Sequence, residues 1–196
     1  MLNIISESME MQTLRFYCSI LVLLASITSS TIVFAEDPLL VVLKKNDHAS
    51  IDSLLSRHHN PNVVGAQGET PLMIAAVRSD YVMAKKLIDA GAKITYADNK
   101  NRTALWFAAF KSDKEMMWLF LKQKGVESII NNQSADTKDS ALHFAVGAAT
   151  CDVELLRRFV TLGADTKLKN IYGQTPITIC SSDKTLMKIC REAGIQ

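Results

Sequence analysis

The chain has 196 residues, 48% hydrophobic and 21% charged, a globular balance that excludes a disordered chain, a charge-dominated nucleic-acid tail and a collagen-like fibre. Eight Gly and four Pro are too few for a barrel or sandwich of many short strands. With 22 Lys+Arg against 20 Asp+Glu the formal charge is +2, so neither nucleic acid nor an anionic membrane is favoured as the main partner, and four Cys do not make a disulfide-dense scaffold.

From Phe16 to Ala35 there is no charged residue. Phe16–Ala25 is apolar apart from Ser19, Ser26–Thr31 is small and polar, and Val33 and Ala35 flank Phe34 just before Glu36. That order reads as a secretory h-region, a c-region and a cleavage site, so 1–35 is expected to be a signal peptide and the mature protein periplasmic or secreted. A transmembrane anchor is the alternative, weakened by the Ser/Thr-rich second half. Membrane contact is expected only if this segment stays attached. Glu7 and Glu10 outweigh Arg15 ahead of the apolar run, whereas a start at Met11 would leave a short basic n-region. Met1, Met9 and Met11 are therefore alternative starts. Removal of 1–35 leaves Cys151, Cys180 and Cys190, an odd set that implies a free thiol or an intermolecular bond.

The rest of the chain repeats. Gly68-Glu69-Thr70-Pro71-Leu72-Met73-Ile74-Ala75-Ala76 recurs from Asn101 to Ala109, from Lys138 to Val146 and from Gly173 to Cys180, with a degenerate first copy at Asp37–Leu43. The anchors Thr70, Thr103, Ser140 and Thr175 fall at intervals of about 33 to 37 residues. Asp37 and these four anchors are N-cap residues placed before apolar periodicity, and Pro38, Pro71 and Pro176 suit a first helical turn. A second apolar rung follows in each unit at Leu54-Leu55, Leu87-Ile88, Phe120-Leu121 and Phe159-Val160. Gly91, Gly125, Gly163 and Gly194 are expected to end those second helices, with His58 in the corresponding place of the first unit. Hairpin-like turns are expected around Val64–Glu69, Tyr96–Arg102, Gln133–Asp139 and Leu168–Gln174.

This pattern resembles the ankyrin repeat, whose T-P-L-H-x-A signature opens its first helix. The resemblance implies an all-α solenoid of helix-turn-helix units, about 36–66, 67–98, 99–133, 134–169 and 170–196, in which stacking makes the core. Two departures stand out. Lys138 replaces a turn glycine, so that turn is expected to be strained or differently shaped. Residues are also inserted near Ser128–Asn131 and Gly147–Thr150, which makes both loops candidates for partner contact.

The resemblance makes His143 a structural hydrogen-bonding residue. His48, His58 and His59 lack metal-ligand spacing and read as solvated helix ends. Cys180 and Cys190 fall at positions that face inward in the family, so two buried thiols are expected, with a capping disulfide as the alternative in an oxidising compartment. Cys151 is the better reactive-thiol candidate. No catalytic motif, cofactor signature or metal set is present in the sequence, and no enzyme activity is expected.

The family's concave face is built from turn tips and first helices. The resemblance therefore points to Arg78, Arg102, Trp106, Phe110, Lys111 and Tyr172 as partner-binding residues. Trp106 and Phe110 lie side by side on one helix, and an aromatic centre with a basic rim suits a protein hot spot. The alternative is that Trp106 packs between repeats. Trp118 is expected on the outer face of the second helices. The expected function is that of an exported protein-binding module that inhibits or neutralises another protein, such as a secreted toxin or enzyme, as small exported ankyrin proteins of bacteria resemble. A periplasmic scaffold or protective partner of a resident enzyme and a host-directed effector are the alternatives.

Overall fold

The structure is a computed structural model that describes residues 36–147, 152–181 and 183–195. The expected signal peptide at 1–35, Cys151 and the insertion beyond Gly147 lie outside the described residues.

Among the described residues ten α-helices form five pairs. The first helix of each pair is α1 (Pro38–Lys45), α3 (Pro71–Val77), α5 (Ala104–Phe110), α7 (Ala141–Gly147) and α9 (Pro176–Cys180). The second is α2 (His48–Ser56), α4 (Tyr81–Asp89), α6 (Lys114–Phe120), α8 (Val153–Thr161) and α10 (Lys184–Glu192). The caps explain why these short helices start where they do. The Thr70 and Thr103 hydroxyls accept from the Met73 and Trp106 N–H groups at 3.4 and 3.1 Å. Every second helix starts at an aspartate that caps it: Asp47, Asp80, Asp113, Asp152 and Asp183. Each cap satisfies a backbone donor that has no partner inside the helix.

Single helices of this length are not stable alone, and packing supplies the rest. Ala75, Ala76, Ala108, Ala109 and Ala145 are at most 1% exposed, and their small side chains let the first helices stack closely. Leu87, Phe120, Leu155, Leu156 and Phe159 fill the layer beneath them, all 0% exposed. The result is an all-α ankyrin solenoid.

Turns project between pairs and bond to one another in series. The Asn99 N–H donates to Gln67 O at 3.0 Å, the Ala135 N–H to Lys100 O at 2.8 Å, and the Ile171 N–H to Thr137 O at 2.9 Å. One left-handed residue turns each tip: Gly68 at φ 80°, Asn101 at 59°, Lys138 at 57° and Gly173 at 72°. Lys138 thus keeps the shape of its neighbours and takes the strain. His58 likewise takes φ 59° where Gly91 takes 94°.

Two expectations are corrected. The insertion at Ser128–Asn131 is exposed only at Ser128 and Asn131. Ile129 and Ile130 are 5% and 1% exposed, because the short 3-10 turn at Val126–Ser128 folds them into the core. Asn131 clamps the next unit, donating to Gly163 O at 2.9 Å and accepting from the Asp165 N–H at 2.7 Å. The cysteines at the end are not two thiols: Cys180 on α9 and Cys190 on α10 form a disulfide. Both are 0% exposed, because α9 and α10 pack together and turn both side chains inward.

Candidate functional site: the first-helix face

The first helices and the turn tips share one face. On it the residue four after each anchor is apolar in the last four units: Ile74, Phe107, Phe144 and Ile179 pack partly against the core. Val77 ends α3 and Phe110 ends α5, and they are 44% and 55% exposed. At the last tip Ile171 and Tyr172 are 52% and 74% exposed. These side chains make an apolar stripe along a surface that is otherwise polar.

Its centre is an aromatic cluster. The rings of Trp106 and Phe110 stack with centroids 5.3 Å apart at 9°. Phe144 meets Trp106 edge-on at 5.1 Å and Phe110 edge-on at 5.4 Å. Phe110 is therefore half exposed yet held between two rings, so binding a partner would cost it little side-chain freedom. Trp106 is only 7% exposed, and its indole N–H donates to Asp139 O in the next unit at 2.9 Å. It packs between repeats and supports the site from below, with no solvent face of its own to offer.

The cations around the cluster differ in role. The Arg102 guanidinium lies over the Phe107 ring at 4.8 Å and the Trp106 ring at 5.7 Å, where the ring faces attract it. Asp98, 8% exposed, holds it through an Nε donation at 2.8 Å. Among the described residues Arg78 lies over no aromatic ring. It turns toward α1 and donates to Leu43 O, Lys44 O and Asn46 Oδ1, so it caps the carbonyl end of that helix. Lys111 follows Phe110 directly and is exposed.

Beyond Phe110 and Phe144 the face opens into a groove of about 560 Å³, with Asp139, Asn170, Tyr172 and Ile179 among the residues that line it. The Asp139 carboxylate accepts from the Asn170 amide at 2.9 Å. His143 lines the same groove but is only 2% exposed. Its Nδ1 accepts from the Ser140 N–H at 3.1 Å, and its Nε2–H points at Leu168 O and Gln174 O at 3.1 and 3.2 Å. Burial pushes its pKa below the ordinary 6.5, outweighing the pull of Asp139 and the two carbonyls. A neutral imidazole with both nitrogens engaged joins α7 to the following turn, and no proton acceptor is left for chemistry.

A smaller hollow of about 270 Å³ lies between the second and third units, against Ile74, Val77 and Phe107. Glu69 on its edge sits below the ordinary carboxylate value. Burial raises it, but hydrogen bonds from Lys44 and from backbone N–H groups outweigh burial.

The other sequence candidates fall elsewhere. His59 Nε2 pairs with Asp37 Oδ1 at 2.8 Å and His48 with Asp80 at 3.6 Å, so these two histidines face helix caps and are not merely solvated ends. Trp118 is half-buried on the second-helix side, with Lys122 Nζ 5.9 Å over its ring. The sequence reading missed the apolar residue four after each anchor, although the repeat alignment carries that signal.

Comparison with known proteins bears on the fold. Residues 39–132 match the family model for ankyrin repeats in three copies. Over 132 residues the chain is 35% identical to the transient receptor potential channel pyrexia of Drosophila melanogaster, which is 65% of this chain and 13% of the channel. Over 87 residues it is 36% identical to the putative E3 ubiquitin-protein ligase XBAT31 of Arabidopsis thaliana, 43% of this chain and 19% of the ligase. It is also 35% identical over 86 residues to the putative ankyrin repeat protein L38 of Acanthamoeba polyphaga mimivirus, 44% of this chain and 41% of that protein. The chain thus spans less than half the length of each of these relatives. Ankyrin repeats are protein–protein interaction modules, and the fold described above is of that class.

Proposed function

We propose that the protein is an exported binding module whose first-helix face captures a partner protein and inhibits or neutralises it by covering its working surface. The observation that carries the binding reading is the exposed apolar stripe with Phe110 at its centre. Phe110 is 55% exposed but fixed between Trp106 and Phe144. A rigid aromatic anchor in a cluster bordered by Arg102, whose guanidinium lies over the Trp106 ring, is the composition of an interface hot spot.

Two features support export. One is the uncharged run from Phe16 to Ala35 with its small-residue end. The other is the Cys180–Cys190 disulfide, a bond that persists in oxidising compartments. A scaffold or host-directed role would use the same face. The three differ in what becomes of the partner. The test is to pull the mature domain with its partner from periplasmic or culture fractions, then assay the partner's activity with and without an excess of the protein. Loss of activity supports inhibition; unchanged or extended activity makes the protein a scaffold or protector.

A further inference from the structure

A second groove, of about 550 Å³, lies where the second helices of the second and third units end. Residues 92–95, after α4, and 122–124, after α6, line it. Every charged side chain in that lining is a lysine: Lys93, Lys122 and Lys124. All three are exposed. Lys122 Nζ rests 5.9 Å over the Trp118 ring, and the Lys93 and Lys124 ammoniums have no ion-pair or hydrogen-bond partner among the described residues. Of the carboxylates nearest in sequence, Asp89 is paired with Lys85 at 3.1 Å, and Glu115 and Glu127 do not line the groove. A lysine past a helix end commonly bonds the last carbonyls. Here other side chains do so. Asn62 donates to Gly91 O at 3.0 Å, Gln123 to Leu119 O at 2.9 Å and Arg158 to Leu121 O at 3.1 Å. The base of the groove is tightly built as well. Gly125 holds φ 84°, and a Cβ there would stand 2.9 Å from Thr95 Cγ2, so the two loops touch.

We infer that this groove binds a small oligophosphate, with successive phosphate groups meeting Lys93, Lys122 and Lys124. The site shares no residue with the first-helix face and stands whatever that face binds. Three cations and no anion in the lining fix the sign of the ligand. Exposed charges are screened over about 10 Å at 0.1 M salt, so a ligand must carry several charges close together to gain affinity here. The kind of cation points to phosphate. An ammonium is a point charge with three donors and suits a tetrahedral oxyanion, whereas a planar carboxylate gains most from the fork of an arginine. No arginine lines the groove. The volume is within the range of about 300–1,000 Å³ usual for small-ligand sites. Lys93 belongs to the second unit and Lys122 and Lys124 to the third, so the ligand bridges two repeats and should stabilise the stack.

The test is calorimetric titration of the full chain with inorganic tripolyphosphate at about 0.1 M salt, with orthophosphate as the control that carries one phosphate group. Tripolyphosphate should bind one to one with a dissociation constant below about 1 mM, and orthophosphate at least about tenfold more weakly. Saturating tripolyphosphate should also raise the thermal unfolding midpoint. Lys93→Gln and Lys124→Gln, both at exposed positions, should each weaken binding by about threefold or more, and the variant with Lys93, Lys122 and Lys124 all changed to Gln should lose it. Lys111→Gln with Lys138→Gln removes two exposed lysines of the first-helix face and should leave affinity within about twofold of the wild type. Circular dichroism confirms that each variant is folded. Absence of binding at several times the expected constant, a stoichiometry above one, or survival of binding in the triple variant overturns the inference. So does an equal loss in the Lys111 and Lys138 variant, which would make the effect one of general positive charge.

Discussion

The indole N–H of Trp106 donates to the main-chain carbonyl of Asp139 at 2.9 Å, tying the third helix pair to the turn that opens the fourth. The most conspicuous aromatic of the first-helix face is therefore part of the stack. Trp106→Phe removes one of two donors to this carbonyl, the Ser134 N–H still meeting it at 3.1 Å, and should destabilise by about 0.5–1.5 kcal/mol. Trp106→Ala should lose about 3–5 kcal/mol, since it also empties the ring's place beneath Phe110 and Phe144. Urea unfolding followed by circular dichroism checks both. An unchanged midpoint in Trp106→Ala would remove this residue from the core.

Backbone strain at the turn tips can be tested in both directions. Lys138 holds φ 57° where two other tips hold glycine, so Lys138→Gly should stabilise by up to about 1 kcal/mol, the left-handed cost being partly offset by glycine's freedom in the unfolded chain. Gly91→Val places a β-branched residue at φ 94° and should destabilise by more than about 1 kcal/mol. No heavy atom stands within 4 Å of a Cβ built at Gly91, so the loss comes from backbone conformation and not from a clash. Thermal unfolding at 222 nm measures the pair.

Acid should weaken the fold through His143. Its folded pKa lies below the ordinary 6.5, so as pH falls through that value the unfolded chain takes up a proton that the folded chain refuses. The contribution is present in full above 6.5 and is lost as pH falls toward the folded value. His143→Gln should be less stable than the wild type at pH 7.5, and the difference should narrow as pH is lowered to about 5. A constant difference across that range would mean that His143 is not held neutral.

Reduction should loosen the last unit first. α9 is five residues long and forms one wall of the groove through Ile179. Losing the Cys180–Cys190 bond should cost about 2–3 kcal/mol by the chain-entropy account. Amide exchange of 176–195 should rise with a dithiol reductant, while α5 and α6 stay protected. Equal exchange in both redox states would show that packing alone holds this unit.

Much of the stack could be read from residue order alone. Thr70, Thr103 and Thr175 with their following apolar residues mark the first helices, and Gly91 and Gly163 mark the ends of the second. The aspartate caps at Asp80, Asp113 and Asp152 were equally readable from their place before each second helix. What could not be read depends on neighbours about one repeat away. Arg78 looks like a free surface cation until the carbonyl end of α1 is brought beside it. Ile129 and Ile130 look like an inserted loop until the 3-10 turn folds them inward. Trp106 and Phe110 are visibly paired by helical spacing, but which of them keeps solvent depends on Phe144 and Asp139 in the next unit.

The measurement that bears most directly on the first-helix face as the working surface is site-specific photocrosslinking in the cell that makes the protein. A benzophenone side chain is introduced at Tyr172, 74% exposed on that face, or at Val82, 61% exposed on α4. Illumination should trap one partner protein from the Tyr172 position and none from the Val82 position, and Phe110→Ala should suppress the crosslink while the protein stays folded. A partner trapped from Val82 and not from Tyr172 would contradict the account and move the interface to the second helices.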